Sequence, residues 1–244
     1  MRCDTRRPMN RTFLTLAWLS SSMLFADVPG YTEPYKTITV SASEPGVIAE
    51  VLVEEGARVK KNQVVAKLDT AQHEAELDIA KTQTELQRVK VTKLEEIVRS
   101  QRISQDELDR ARTDLKIRQA EVRKIQAVLD NRIMRSPVDG IVSEVKRDAS
   151  EAVSLSNPHV LTVVQIDRLL VNLFLTPARA EQLKVAGSAA LVLGEKAQFA
   201  VGIVEFISPV TDAASGTVRV KFVIENAKGE YRSGTTAQLA AQGN

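Results

Sequence analysis

Between residues 71 and 132 the chain contains neither Gly nor Pro, and its apolar positions recur at steps of three and four. The second half carries a strict row: Leu108, Ala111, Leu115, Arg118, Val122, Ile125 and Leu129. That is the heptad pattern of a coiled coil. The first half carries a weaker row, Ala75, Ile79, Thr82, Leu86, Val89, Lys93 and Ile97. The pattern breaks once, near 99–103. Each helix has a single stripe to bury, so the two are expected to form an antiparallel hairpin. At 1.5 Å rise per residue its length is roughly 40 Å. Asp69 with Gln72, and Ser104 with Glu107, have the spacing of capping boxes at the two helix starts, and Ile103 with Leu108 fits a hydrophobic staple.

The flanking regions have a different period. Residues 48–53 and 63–68 are Val- and Ile-rich and bounded by Pro45-Gly46 and Glu55-Gly56, which predicts short strands. Residues 29–34 form a short Pro/Gly stretch expected to be a linker. After Pro137 and Gly140 strands are predicted at 141–145 and 161–166, then at 169–175, 190–193, 199–207 and 218–224. Thr176-Pro177 marks one short helix running to about Val185. Mostly short strands with one small helix suggest a small β-barrel.

Two distant segments repeat each other. Residues 46–51 read GVIAEV and residues 140–145 read GIVSEV. Each is preceded by a Pro and followed by a Val, Val59 or Val153. Each unit then closes on an Asp, as KLD at 67–69 and QID at 165–167. Two similar β-units separated by the helices are expected to pack together, with the hairpin projecting as a stalk. The fold class is therefore α+β: an elongated module with a split β-domain, an inserted antiparallel coiled-coil hairpin and a small β-barrel.

Composition narrows the chemistry. The chain has 244 residues and a formal net charge of +2, with no nucleic-acid footprint. Arg2, Arg6, Arg7 and Arg11 precede an uncharged run at 13–26, shorter than the about 20 residues of a membrane span. With Ala26 as a cleavage site, residues 1–26 are expected to be a signal peptide and the mature protein periplasmic. The single cysteine, Cys3, lies in that leader, so no disulfide, zinc or thiol chemistry is expected in the mature chain. Aromatic residues make up 4%, which disfavours a large aromatic-lined pocket. No phosphate loop, nucleophile elbow or metal-ligand spacing is found. Glu50 and Glu144 occupy equivalent repeat positions and are read as solvent-facing strand residues. His73 and His159 are read as surface histidines. No enzyme activity and no cofactor are expected.

This arrangement resembles the membrane fusion proteins, the periplasmic adaptor subunits of bacterial efflux and secretion systems. Their split lipoyl-like domain matches 40–69 plus 133–167, their α-helical hairpin 70–132, and their β-barrel 168–244, with 27–39 as a linker and the start of the β-region. Gly202-Ile203-Val204 through Pro209, Thr217-Val218-Arg219-Val220 and Tyr231-Arg232-Ser233-Gly234 place it nearest adaptors of resistance-nodulation-division pumps. Gly216 stands where Arg is common, Ser233 where Pro is common, and no membrane-proximal fourth domain is expected. The resemblance implies an inner-membrane transporter and an outer-membrane exit duct as partners, and a homo-oligomer associated with the inner membrane. It also implies that the hairpin tip touches the duct through Lys93, Ile97 and Ser104, although the basic residue is commonly Arg and Lys offers no planar bidentate fork. A capping Ser104 serves the helix as well. The main rival is a biotin- or lipoyl-carrier protein, which needs a modifiable Lys where this chain has helices after Leu68-Asp69. A periplasmic coiled-coil scaffold outside transport is a second.

Overall fold

The computed structural model describes residues 28–99 and 105–240. Strands form where Val- and Ile-rich runs meet turn residues. Four come first: β1 (Gly30–Ser41), β2 (Gly46–Val51), the two-residue β3 (Arg58–Val59) and β4 (Val64–Leu68). Helices α1 (Ala71–Arg99) and α2 (Gln105–Asn131) follow. Then come β5 (Ile133–Arg135), β6 (Gly140–Val145), β7 (Ala152–Val153) and the long β8 (His159–Leu175). The chain ends with a helical turn, α3 (Pro177–Ala180), then β9 (Ser188–Leu193), β10 (Gln198–Thr211), β11 (Val218–Glu225) and β12 (Thr236–Leu239). The expected α+β class, with a hairpin inserted into a split β-unit beside a barrel, is the one observed.

The repeat folds by exchange. The short strand after GVIAEV, β3, pairs with GIVSEV in β6, and the short strand after GIVSEV, β7, pairs with GVIAEV in β2. Gly56 N–H donates to Val142 O and Ser150 N–H donates to Ile48 O, which are equivalent bonds in the two halves. Gly56 and Ser150 both sit at positive φ, +84° and +71°, so the second half holds a serine in a left-handed turn that favours glycine. A bulge interrupts each repeat at the same place, between Ile48 and Glu50 and between Val142 and Glu144. The interleaved halves enclose one core, with Ile48, Val65, Leu68, Val142, Leu161 and Val163 almost fully buried. Each such side chain contributes about 1.5–3 kcal/mol on burial. Register corrects one detail of the repeat. Leu68 partners Ile48 as Val163 partners Val142, so KLD corresponds to 162–164 and not to QID. Asp167 ends nothing, because β8 runs on to Leu175.

The second core lies in a six-stranded barrel in the order β1-β12-β9-β10-β11-β8, closed by pairing of β1 with β8. Phe222, Leu191, Leu193, Leu169, Val171 and Ile224 fill it. β8 serves both units: Val160, Leu161 and Val163 face the first core, and Leu169, Val171, Leu173 and Leu175 face the second. β1 runs antiparallel beside it throughout, from Thr32 opposite Val171 to Val40 opposite Leu161. The two units therefore share a continuous two-stranded ribbon.

This ribbon overturns the linker expected at 29–34, which is strand from Gly30 onward. Pro34 suggested a break, but it sits beside a register shift between Pro34 and Lys36, where a missing N–H is tolerated. The guanidinium of Arg168 stacks 3.8 Å from the ring centre of Tyr35 at that bulge. The short helix expected to reach Val185 stops at Ala180. Leu183 N–H bonds Ala180 O and Gly187 N–H bonds Lys184 O, so tight turns replace helix as Leu183 packs on the barrel core.

Candidate functional site

The hairpin grows from paired strand ends. β2, β4 and β5 form its platform, and Leu68 N–H donates to Arg132 O where the two arms leave the sheet. The Arg132 side chain, only 12% exposed, donates from Nη1 to Asp69 O at 2.8 Å and lies 3.8 Å from the Glu44 carboxylate. The cap expected from Asp69 and Gln72 is one-sided. Asp69 accepts from Ala71 N–H at 3.0 Å, but its own N–H is already used by Val47 O, so Gln72 bonds Glu76 instead. Thr70 and Glu74 close the first turn. The second expected cap, Ser104 with Glu107, and the Ile103 staple involve residues outside those described.

In α2 the heptad row is the seam: Leu108, Ala111 and Leu129 are buried, and Leu115, Val122 and Ile125 are half-buried. In α1 the expected row is not. Ile79 is 60% exposed and Leu86 73%, and Ala75, Thr82, Val89, Lys93 and Ile97 are exposed with them. The observed seam runs through Leu77, Ala80, Thr84, Gln87, Val91, Leu94 and Val98. It has the same three-and-four spacing, with Ala80, Thr84 and Gln87 in its middle where the expected row has Ile79, Leu86 and Val89. Close helix approach explains the choice. Thr84 folds its hydroxyl onto Ala80 O, and Gln87 donates across the seam to Ala111 O at 3.0 Å. Arg118 reaches Gln83 at 3.2 Å and Arg112 reaches Glu95 at 2.7 Å. The row of larger residues was the wrong one because hydrophobicity alone cannot report which face has a partner.

Packing is tightest towards the tip, where Val91, Leu108 and Ala111 form a small core with Leu94, Val98 and Leu115. Nearer the base the arms leave a cleft of ≈ 420 Å³ lined by His73, Ile79, Ile125 and Val128. Of the three tip residues singled out, Lys93 and Ile97 lie on the last two turns of α1, exposed and beside the seam positions Leu94 and Val98. Ser104 lies outside the described residues.

A second cleft, ≈ 430 Å³, lies where the two β-units meet, lined in part by Arg58, Asp139, Asp167 and Asn226. Sequence reasoning missed Asn226. Its amide donates to Ile166 O and Tyr231 O and accepts from Tyr231 N–H, all at 2.9 Å. The Tyr231-Arg232-Ser233-Gly234 segment is thereby locked. Buried Thr32 holds its other end, donating to Arg232 O at 2.8 Å and accepting from Thr235 N–H at 2.9 Å. This motif closes the barrel on β1. Gly216, where Arg is common, has φ of +66° at the end of the β10–β11 turn. Asp212 organises that turn through Ser215 and Ala214, and the Ser215 N–H holds its carboxyl below the usual range. Glu50 pairs with Lys67 across the sheet. No group of three His, Cys, Asp or Glu suited to a metal occurs among the described residues. None of the described helices is long and apolar enough to cross a membrane.

No family model matches the chain. Individual relatives do. An antibiotic efflux pump periplasmic linker protein, ArpA of Pseudomonas putida, is 28% identical over 219 residues, covering 83% of this chain and 59% of its own. The multidrug resistance protein MexA of Pseudomonas aeruginosa is 25% identical, covering 86% and 59%. A solved MacA–MexA chimera carrying the MexA α-hairpin domain superposes with a TM-score of 0.76 at 19% identity, covering 87% of this chain and 76% of the other, a likeness of fold. The chain is similar in sequence to periplasmic linker proteins of efflux pumps, and its fold is like that of the MacA–MexA adaptor chimera. The chain spans less than three fifths of the length of the two curated relatives above. Its hairpin, split β-unit and barrel are the parts that the chimera shares in fold.

Proposed function

We propose that this chain is a periplasmic adaptor that joins an inner-membrane efflux transporter, of the resistance-nodulation-division type, to an outer-membrane exit duct and so supports export of drugs or other small molecules across the periplasm. In this reading 40–69 with 133–167 form the lipoyl-like domain, 70–132 the hairpin and 168–244 the barrel. The barrel end faces the transporter and the hairpin tips face the duct, with copies packed side by side around the channel axis. The protein is a scaffold and not an enzyme. One observation carries the reading: a hairpin of 29- and 27-residue arms stands on a β-body whose two units share the β1–β8 ribbon. A rod rigidly based on one body is suited to hold two membranes' machinery at fixed separation. The relatives' names, efflux pump periplasmic linker among them, support the same role.

Contact with the duct is assigned to Lys93, Ile97 and Ser104. Ile97→Asp tests it. The residue is exposed on the last turns of α1, so helicity at 222 nm should stay within about a tenth of wild type, since surface changes cost little. A charge that resists desolvation should nevertheless impair docking. In a strain lacking the native gene, wild type should restore export or resistance and the variant should not. Full rescue by Ile97→Asp removes the tip assignment. Failure of the wild-type chain beside its transporter and duct removes the adaptor reading itself.

A further inference from the structure

We propose that the cleft between the two β-units binds a small amphiphilic organic anion, its apolar body against Ile141 and Ile166 and its charge held by Arg58 and Lys60. The inference goes beyond the adaptor reading and does not depend on it.

The cleft comes from a gap in the strands beside β8. β1 runs along one edge of β8, from His159 to Val171. On the other edge β6 pairs with β8 from Leu161 to Val164, and β11 pairs with it from Arg168 to Leu175. Residues 165–167 have no strand on that side, and the ≈ 430 Å³ space lies there. That volume falls in the range of about 300–1,000 Å³ occupied by small-molecule sites.

Both walls are held in place. On the barrel side, Asn226 donates its amide to Ile166 O at 2.9 Å and its own N–H to Asp167 O at 2.7 Å. On the other side, Arg58 and Val59 pair with Ile141 and Gly140. The apolar lining is buried Val59, half-buried Ile141 and Ile166, and Ala227 on the barrel side. A preformed apolar cleft at the junction of two units, with a few polar groups at its rim, is the usual form of a ligand site.

Charge gives the class of ligand. Arg58 and Lys60 balance Asp139 and Asp167 in number, but the four differ in what they already hold. Asp139 accepts from Lys61 N–H at 2.9 Å. Asp167 accepts from Arg168 N–H at 3.1 Å and from the Gln165 amide at 3.4 Å. The side chains of Arg58 and Lys60 have no hydrogen bond or ion pair among the described residues. They stand two residues apart on either side of buried Val59, so both project on the outer side of the chain. Gln63 takes Lys60 N–H on its oxygen at 2.9 Å, which leaves its NH2 to donate. Uncommitted donors thus come from one segment, 58–63, while each carboxylate is already engaged. Guanidinium and ammonium donors bind carboxylate or sulfonate oxygens more strongly than neutral donors do.

The test is a fluorescence titration of the full chain with anilinonaphthalene sulfonate, an aromatic body bearing one anionic group. One dye should bind per chain. Octanoate should displace it, and octylammonium of the same chain length should not. Octanoate should also slow amide exchange at 139–141 and 226–229. Arg58→Glu should weaken both ligands at least tenfold, since it replaces an attractive charge by a repulsive one. Ala227→Trp fills the cleft without changing its charge and should abolish binding. Both positions are exposed, so ellipticity should match wild type. Lys60→Glu should act in the same direction and serves where Arg58→Glu disturbs β3. No binding, or wild-type affinity in Ala227→Trp, overturns the site. Equal displacement by octylammonium, or wild-type affinity in both charge variants, overturns the assignment of an anion.

Discussion

The β-body and the hairpin are stabilised in different ways. In the body, side chains such as Val65, Leu161, Val163, Phe222 and Leu191 are wholly buried, and two cores are joined by shared strands. In the hairpin buried seam residues are few and mostly small, Leu77, Ala80, Thr84 and Val91 on α1 and Leu108, Ala111 and Leu129 on α2, and polar bonds across the seam supplement them. A body of this kind unfolds as a unit, whereas a thin two-helix rod can open from one end at lower cost. The body thus fixes direction, and the rod can adapt at its tip while its base stays held by Arg132.

That contrast can be broken from either side. The largest effect is expected from Phe222→Ala, which empties the middle of the barrel core. Loss of a fully buried Phe costs about 3–5 kcal/mol. The urea midpoint should fall for the whole β-body, read by amide exchange in β8 and β11, because β8 also lines the first core. If only barrel amides lose protection, the ribbon does not couple the two units. Leu108→Asp places a charge in the hairpin core near the tip. Breaking a buried apolar contact with an uncompensated charge costs several kcal/mol, but the tip can open without the body, which caps the loss. Ellipticity at 222 nm should drop while β8 amides keep wild-type protection. The smallest effect is expected at Asp212. Its folded carboxyl titrates below the ordinary 3.8 because the Ser215 N–H holds the charged form. A lowered folded pKa contributes stability above the unfolded value that is lost as pH falls through the folded one. Protection of the Ala214 and Ser215 amides should therefore fade only as pH falls below the ordinary 3.8 and through the lower folded value, and Asp212→Asn should abolish that pH dependence while leaving the barrel midpoint unchanged. Persisting pH dependence in Asp212→Asn would point to another group.

The repeat was legible because each copy carries the same Gly and Val positions, but the exchange of short strands, β7 onto β2 and β3 onto β6, was not, since two-residue strands carry no period of their own. The α2 seam was legible too, where the one apolar row is the buried one. Asp69 at the base of α1 was legible as a cap, but its partner was not, since Val47 O takes the N–H that Gln72 would have needed. Pro34 misled because a proline at a bulge and a proline in a linker look alike in sequence. At the tip, Lys93 and Ile97 could be placed on the last turns of α1 by spacing, but spacing does not say which of them faces the seam.

Local preference and period determined by themselves that there would be two long helices between two similar β-units, because helix propensity and the absence of Gly and Pro act within a few residues. Only the tertiary structure decided which of two equally spaced rows in α1 became the seam. Burial is a property of pairs of surfaces. The smaller row of Ala80, Thr84 and Gln87 lets α2 approach closely enough for a hydrogen bond to Ala111 O, while Leu86 and Val89 of the other row are left facing outward.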